Sequence, residues 1–170
     1  NSEISAIVRI GYISNALDAF QKVDPVQEVV LVLSESNIER GRAMVAEHKF
    51  HKVTTICLGG ARRQDSVRLG LQALSPCDWV VVHDGARPCV DPEIVRIGLV
   101  EALQWGSAVA AVPIRDTLKN ADMEGFVLAT LDRENMWAIQ TPQIFPSETL
   151  SEAHRKSDEM ATDDANLVER

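Results

Sequence analysis

Residues 79–88 read WVVVHDGARP. Trp79, Val80, Val81 and Val82 form an unbroken apolar run, the pattern of a strand buried on both faces. The run stops abruptly at His83 and Asp84, and Gly85, Ala86, Arg87 and Pro88 follow. A carboxylate, two small residues, a guanidinium and a rigid turn therefore sit just past the carboxyl end of a strand. In open α/β sheets that is where ligands bind. Gly85 and Ala86 allow close approach to the backbone, and Arg87 offers a planar fork suited to phosphate. A plain strand-to-helix turn, with Asp84 bonding nearby amides and Arg87 in a salt bridge, accounts for the same residues.

The flanking sequence repeats the alternation of strand and helix. Ile4–Val8, Glu28–Leu33 and Val53–Leu58 read as strands before this one, and Ala108–Pro113 as a strand after it. Between them, Ile10, Ile13, Leu17 and Phe20 have helical spacing, as do Val67, Leu71 and Leu74. Ser36 and Glu39 predict a capping box for a helix running to about His48. Asp91 followed by Pro92 predicts a helix start, with the helix continuing to Trp105. Ser147 predicts a helix through about Lys156, and Thr162 another with Asp163 and Asp164 in its first turn. Arg9 opens into a helical pattern with almost no turn after Val8, whereas such turns run to about two to six residues. A segment is therefore expected to be missing between Val8 and Arg9.

The alternation fails from Arg115 to Arg133. There, Asp116–Asn120 and Phe126–Leu131 predict a β-hairpin around Asp122–Gly125, projecting as an arm. Trp137–Phe145 then returns to the sheet. The whole reads as one doubly wound α/β domain over residues 1–170, with a mostly parallel sheet and an inserted arm.

Composition excludes several classes. Of 170 residues, 17 are Lys or Arg and 25 are Asp or Glu, a net charge of −8 that argues against nucleic-acid binding. Cys57, Cys77 and Cys89 lack metal-type spacing and predict reduced thiols in a cytoplasmic setting. No apolar run approaches a membrane span of roughly 20 residues. No HExxH-type cluster is present, so a zinc site is not expected. The first residue is Asn1 rather than Met, so the start is expected to be absent or processed.

A second candidate loop is GGARRQDS, Gly59–Ser66, where a glycine pair before a helix can present amides to an anion and Arg62 and Arg63 add charge. A solvated loop with free arginines explains it equally. Thr117 and Lys119 in the arm, with Arg133 and Thr141 beyond it, form a third group that by periodicity alone reads as surface decoration. His83, at the end of a buried strand, reads as a packed, hydrogen-bonded residue before it reads as a general base.

Taken together, these segments resemble the methylerythritol-phosphate cytidylyltransferase family. The matching stretches are GGARRQDSV (59–67), VVHDGARP (81–88), VPIRDTLK (112–119), TLDRENMWAIQTPQIF (130–145) and TDDA (162–165), in the family's order. The resemblance implies a Rossmann-like nucleotidyltransferase fold and a reaction of CTP with methylerythritol phosphate, with Mg²⁺, in isoprenoid biosynthesis. It implies that Gly60, Ala61 and Ser66 contact the cytidine portion, and that Asp84, Gly85 and Arg87 line the place where nucleotide and sugar alcohol meet. It also implies a homodimer in which Thr117 and Arg133 reach the partner's site. There, Arg133 holds the methylerythritol phosphate for attack, as the catalytic residue, and Thr141 completes that pocket. Its setting is the bacterial cytosol, or the plastid stroma in a plant. The family also has a glycine-rich loop bearing an arginine and a lysine after the first strand, and a further lysine beyond TDDA. Both are expected to be omitted here. Gly85 stands where alanine is commoner. Two other readings remain: a ribitol-phosphate cytidylyltransferase, against which Ala86 leans, and a non-catalytic nucleotide-binding module.

Overall fold

The structure, a computed structural model, describes residues 2–9, 13–156 and 160–170. Val80, Val81 and Val82 are fully buried, and their side chains alternate between two apolar layers. Val81 packs with Ala6, Val8, Leu17, Phe20, Leu31, Leu99 and Ile144 on one face of the sheet. Val80 and Val82 pack with Ile7, Val30, Val32, Val67, Phe145 and Leu150 on the other. A strand that buries both faces this way has to lie inside the sheet, as its valine run predicts.

That sheet contains β1 (Ile4–Arg9), β2 (Val26–Leu33), β3 (Val53–Leu58), β4 (Trp79–Asp84), β5 (Ala108–Pro113) and, after the arm, β8 (Trp137–Pro146). Their spatial order is β3-β2-β1-β4-β8-β5. β1, β2, β3 and β4 are parallel, whereas β8 runs antiparallel to both β4 and β5. The chain steps outward from β1 to β3 and then crosses to β4 on the other side of β1. The carboxyl ends of β1 and β4 therefore flank the point where strand order reverses, the usual ligand crevice of such sheets.

Helices α1 (Ile13–Gln21), α2 (Ile38–His48), α3 (Arg63–Ala73), α4 (Pro92–Trp105), α5 (Ser147–Lys156) and α6 (Asp164–Val168) complete the domain. Asp91 caps α4 by accepting from the Glu93 amide at 2.8 Å, and Pro92 follows in the first turn, as expected. Gly106 ends the same helix in the left-handed region at φ 92°, which favours glycine.

Several boundaries differ from expectation. Arg9 ends β1, in register with Val32 and Asp84, rather than opening a helix. The helical start expected at Ile10 lies outside the described residues. The Ser36–Glu39 capping box is not formed. A short 3₁₀ turn at Glu35–Asn37 precedes α2, whose N-cap Asn37 makes no side-chain cap bond. Ser36 instead bonds the Ser34 hydroxyl at 3.2 Å. Local serine hydrogen bonding competes with capping here and wins. The last helix starts two residues later than Thr162, with Asp163 as its cap accepting from the Asn166 amide at 2.8 Å.

The hairpin arm is present as β6 (Lys119–Ala121) and β7 (Val127–Thr130), shorter than the sequence suggests. Its turn is closed by Asp122, whose carboxylate accepts from the amides of Glu124 and Phe126 at 3.1 and 2.8 Å. Gly125 supplies the left-handed residue at φ 88°. The arm's apolar side chains stand in solvent, with Phe126, Val127 and Leu128 at 72%, 61% and 64% exposure. The arm is therefore not folded back on its own domain.

Candidate active site

The two sequence-predicted loops meet through one side chain. β3 ends at Leu58 and leads through Gly59–Arg62 into α3, whose first residue is Arg63. The Arg63 Nε donates to the Asp84 carboxylate at 3.1 Å, joining the loop after β3 to the loop after β4 across two intervening strands. A cleft of about 440 Å³ opens beside them, and Asp84, Arg87, Thr141 and Arg63 are among the residues lining it. Gln140 and Gln143 of β8 and Thr162, Asp163 and Asn166 around α6 line the opposite side.

The glycine loop is built by close contact. The Ser66 hydroxyl accepts from the Gly60 amide and lies 3.1 Å from the Arg62 carbonyl, pulling the loop onto the start of α3. Arg62 and Asp65 form a reciprocal cap, with the Arg62 amide and guanidinium both on the Asp65 carboxylate at 2.8–3.2 Å. Hydrogen bonds from Arg62 hold the Asp65 carboxyl down at about 2. Gly60 is needed for this fit, because a Cβ placed there would lie 2.3 Å from the Asp65 Cβ. Gly60, Ala61 and Ser66 thus stand beside the cleft rather than in its lining, and the buried Ser66 is the brace of the loop.

His83 and Thr141 fix the Asp84 loop from beneath. The fully buried His83 lies 3.0 Å from the Arg87 carbonyl through Nε2 and 3.1 Å from the Thr141 hydroxyl through Nδ1. The carbonyl only accepts, so Nε2 carries the proton and Nδ1 accepts from Thr141. The same hydroxyl accepts from the Asp84 amide at 3.1 Å. Both imidazole nitrogens are spent on structure, which confirms His83 as packed and leaves it no role as a base. Thr141 lines the cleft, but its hydroxyl is engaged with Asp84 and His83.

Burial pushes the His83 imidazole below the usual 6.5, against a weaker upward pull from the Arg87 carbonyl. The folded state therefore binds this proton less readily than the unfolded chain. The stability it contributes is complete above pH 6.5 and is lost as the pH falls below that value through the lowered folded pKa. The unfolding midpoint is expected to drop between about pH 7 and 5. The His83 Cε1 proton resonance should titrate with a midpoint below 6.5; a midpoint at or above 6.5 would contradict this assignment.

Sequence reasoning missed the far wall of the cleft. The Gln143 amide donates to Asp163 at 2.8 Å and its carbonyl accepts from the Ala165 amide at 3.0 Å, clamping the TDDA segment to β8. Asp164, 1% exposed, pairs with Arg63 at 2.7 Å and with His154 at 3.0 Å. The sequence carried TPQ and TDDA as separate stretches, with nothing to show that they meet. Thr117 and Arg133 line no part of this cleft. Both are exposed at the base of the arm, where Arg133 donates to the Arg115 carbonyl. Gly85 is buried in the turn after β4.

Comparison with known proteins gives this geometry its family. The 2-C-methyl-D-erythritol 4-phosphate cytidylyltransferase family matches residues 7–170. The chain is 46% identical over 158 residues to the protein of that name from Dehalococcoides mccartyi strain CBDB1, covering 93% of this chain and 70% of that one. It is 40% identical over 173 residues to the Shouchella clausii protein of the same name, covering 100% of this chain and 75% of the relative. Among solved structures, the Thermus thermophilus enzyme of that name superposes with a TM-score of 0.81 at 31% identity, covering 98% of this chain and 83% of that one. A mostly parallel sheet with its loops gathered at the switch point, five motifs in family order and a family match over residues 7–170 converge: this chain belongs to the 2-C-methyl-D-erythritol 4-phosphate cytidylyltransferase family.

Proposed function

We propose that the cleft transfers CMP from CTP to 2-C-methyl-D-erythritol 4-phosphate and releases pyrophosphate. Family membership over residues 7–170 carries this reading. The chemistry asks for little from acid–base groups. The nucleophile is a phosphate oxygen already ionised at neutral pH, so the protein has to position two polyanions and offset charge as pyrophosphate leaves. Arg87, which lines the cleft, suits that task, and His83 is not needed for it.

In this reading Gly60, Ala61 and Ser66 set the cytidine subsite, and Asp84, Gly85 and Arg87 set the junction between nucleotide and acceptor. Arg133 and Thr117 act from the partner subunit, with Thr141 closing the pocket from below. The exposed apolar arm supports a two-fold dimer, because a hairpin that leaves its domain needs apolar partners. Magnesium belongs to the reading as well. Among the described residues no group of three or more His, Cys, Asp or Glu is placed to hold a metal. An ion brought in with the triphosphate would lower the charge that Arg87 must meet. A cytoplasmic setting accords with three unpaired cysteines, and no helix among the described residues is long and apolar enough to cross a membrane.

The test is pyrophosphate release from CTP with each sugar-alcohol phosphate in turn, using the full-length protein. Turnover with methylerythritol phosphate is expected, and turnover with ribitol phosphate alone would overturn the reading. Ser66→Ala should raise the CTP requirement by about ten-fold, since the braced loop loses its hydrogen bonds. The KM for methylerythritol phosphate should change much less.

A further inference from the structure

We infer that His154, Asp164 and Arg63 are positioning residues that form a buried relay setting the attitude of the Asp84 carboxylate in the cleft. The inference rests on the proposed function. His154 comes from α5, Asp164 from α6, Arg63 from the start of α3, and Asp84 from the end of β4. Four separate elements thus converge on one line of contacts. His154 Nε2 lies 3.0 Å from Asp164 Oδ1, Arg63 Nη2 lies 2.7 Å from Asp164 Oδ2, and Arg63 Nε reaches Asp84 Oδ1 at 3.1 Å.

The far end of this line is sealed from solvent and the near end is open. The side chains of Asp164 and His154 are 1% and 2% exposed, whereas those of Arg63 and Asp84 are 24% and 27% exposed and line the cleft. A carboxylate accepts only, so His154 donates from Nε2. Burial pushes the Asp164 carboxyl up, but the hydrogen bond from His154 and the charge of Arg63 outweigh it and leave the group below the usual carboxylate range. Arg63 shows the complement: burial opposes its charge, and Asp164 and Asp84 more than offset that.

Stability alone does not account for such a cluster. Well-packed apolar residues of similar volume often hold a core as well as a buried ion pair does, or better. Here the arrangement also leaves the buried Nδ1 of His154 without a hydrogen-bond partner, and Arg63 Nη2 and Asp164 Oδ2 meet as an ion pair at 2.7 Å without hydrogen-bond geometry. What apolar residues could not supply is direction. Arg63 bonds Asp84 through Nε, and its Nη2 lies against the charge of a buried carboxylate that can barely move. Asp164 itself is fixed on α6 by the Asp163 cap and by Gln143, which grips both of its neighbours. The two contacts at opposite ends of the guanidinium restrict its orientation, and through Nε that restriction reaches Asp84.

The relay makes a prediction that a structural role does not. On the full-length enzyme, His154→Leu should lower kcat about three-fold or more while the KM for CTP stays within about two-fold. His154→Gln, which restores an amide donor, should recover most of the loss. In an Asp84→Asn background the same His154→Leu change should have almost no further effect on kcat, because the group it positions is already altered. Asp164→Asn serves as a second route into the cycle if the leucine variant is poorly folded. Full additivity of the two changes would overturn the relay. Independently of activity, the carboxyl ¹³C resonance of Asp84 should move in His154→Leu and return in His154→Gln, and an unmoved resonance would equally overturn it. A wild-type enzyme inactive with methylerythritol phosphate would refute the proposed reaction, and the Asp84 resonance would still decide the relay.

Discussion

Equal amounts of two inactive variants, Asp84→Ala and Arg133→Ala, are expected to recover about a quarter of wild-type activity once their subunits exchange. The reasoning is geometric. Asp84 lies in the cleft of its own chain, whereas Arg133 stands at the base of an exposed arm and lines no part of that cleft. If each arm serves the neighbouring subunit, every heterodimer has one site that lacks both residues and one that lacks neither. Random exchange makes half of the dimers heterodimers, each with half its sites intact. Each homodimeric variant alone should lose roughly ten- to a hundred-fold in kcat/KM, the range for a hydrogen bond to a charged group worth about 1.5–3 kcal/mol. Absence of recovery, with exchange verified by mass, would mean that both residues serve one chain's site.

Gly60→Ala is the second change with a large expected effect. The added Cβ would lie 2.3 Å from the Asp65 Cβ and 3.3 Å from that residue's backbone carbon. Neither is the far end of a flexible side chain, so the loop itself has to move. That movement breaks the Gly60–Ser66 bond and disturbs the Arg62–Asp65 cap together. Overpacking of this kind costs about 1–3 kcal/mol. A loss of CTP affinity of ten-fold or more should accompany it, measured by calorimetry. A variant with wild-type CTP affinity would show that the loop's close packing is not what presents its amides.

The sheet and both loops were legible because their signals are local. The Val80–Val82 run, the Asp91–Pro92 start and the hairpin around Asp122–Gly125 each lie within a few residues and point to one conformation. The antiparallel run of β8 was not legible, because direction within a sheet depends on how the chain returns after the arm and leaves no mark in period-two alternation. The far wall of the cleft was hidden for a related reason. Arg63 and Asp164 stand about a hundred positions apart, and His154 lies in a helix whose pattern gives no hint of what its ring meets. The failed Ser36–Glu39 cap is the converse case. A motif correct in spelling lost to a neighbouring serine at position 34.

One consequence follows from how β8 is strung. Gln143 and Phe145, opposite Val82 and Val80, project to one face and Ile144, opposite Val81, to the other, while Thr141 bonds His83 beyond an irregularity in the strand. Along this single strand, the bolt under Asp84, the clamp on the TDDA segment and a core aromatic follow at intervals of two. Deletion of one residue upstream in β8 would therefore shift all three positions at once, placing Pro142 and Ile144 where hydroxyl and amide are required. Damage to chemistry and damage to the core cannot be separated there. In a library of single-codon indels, β8 should be a segment with no folded-but-inactive survivors, whereas the arm, which carries no share of this chain's core, should yield many.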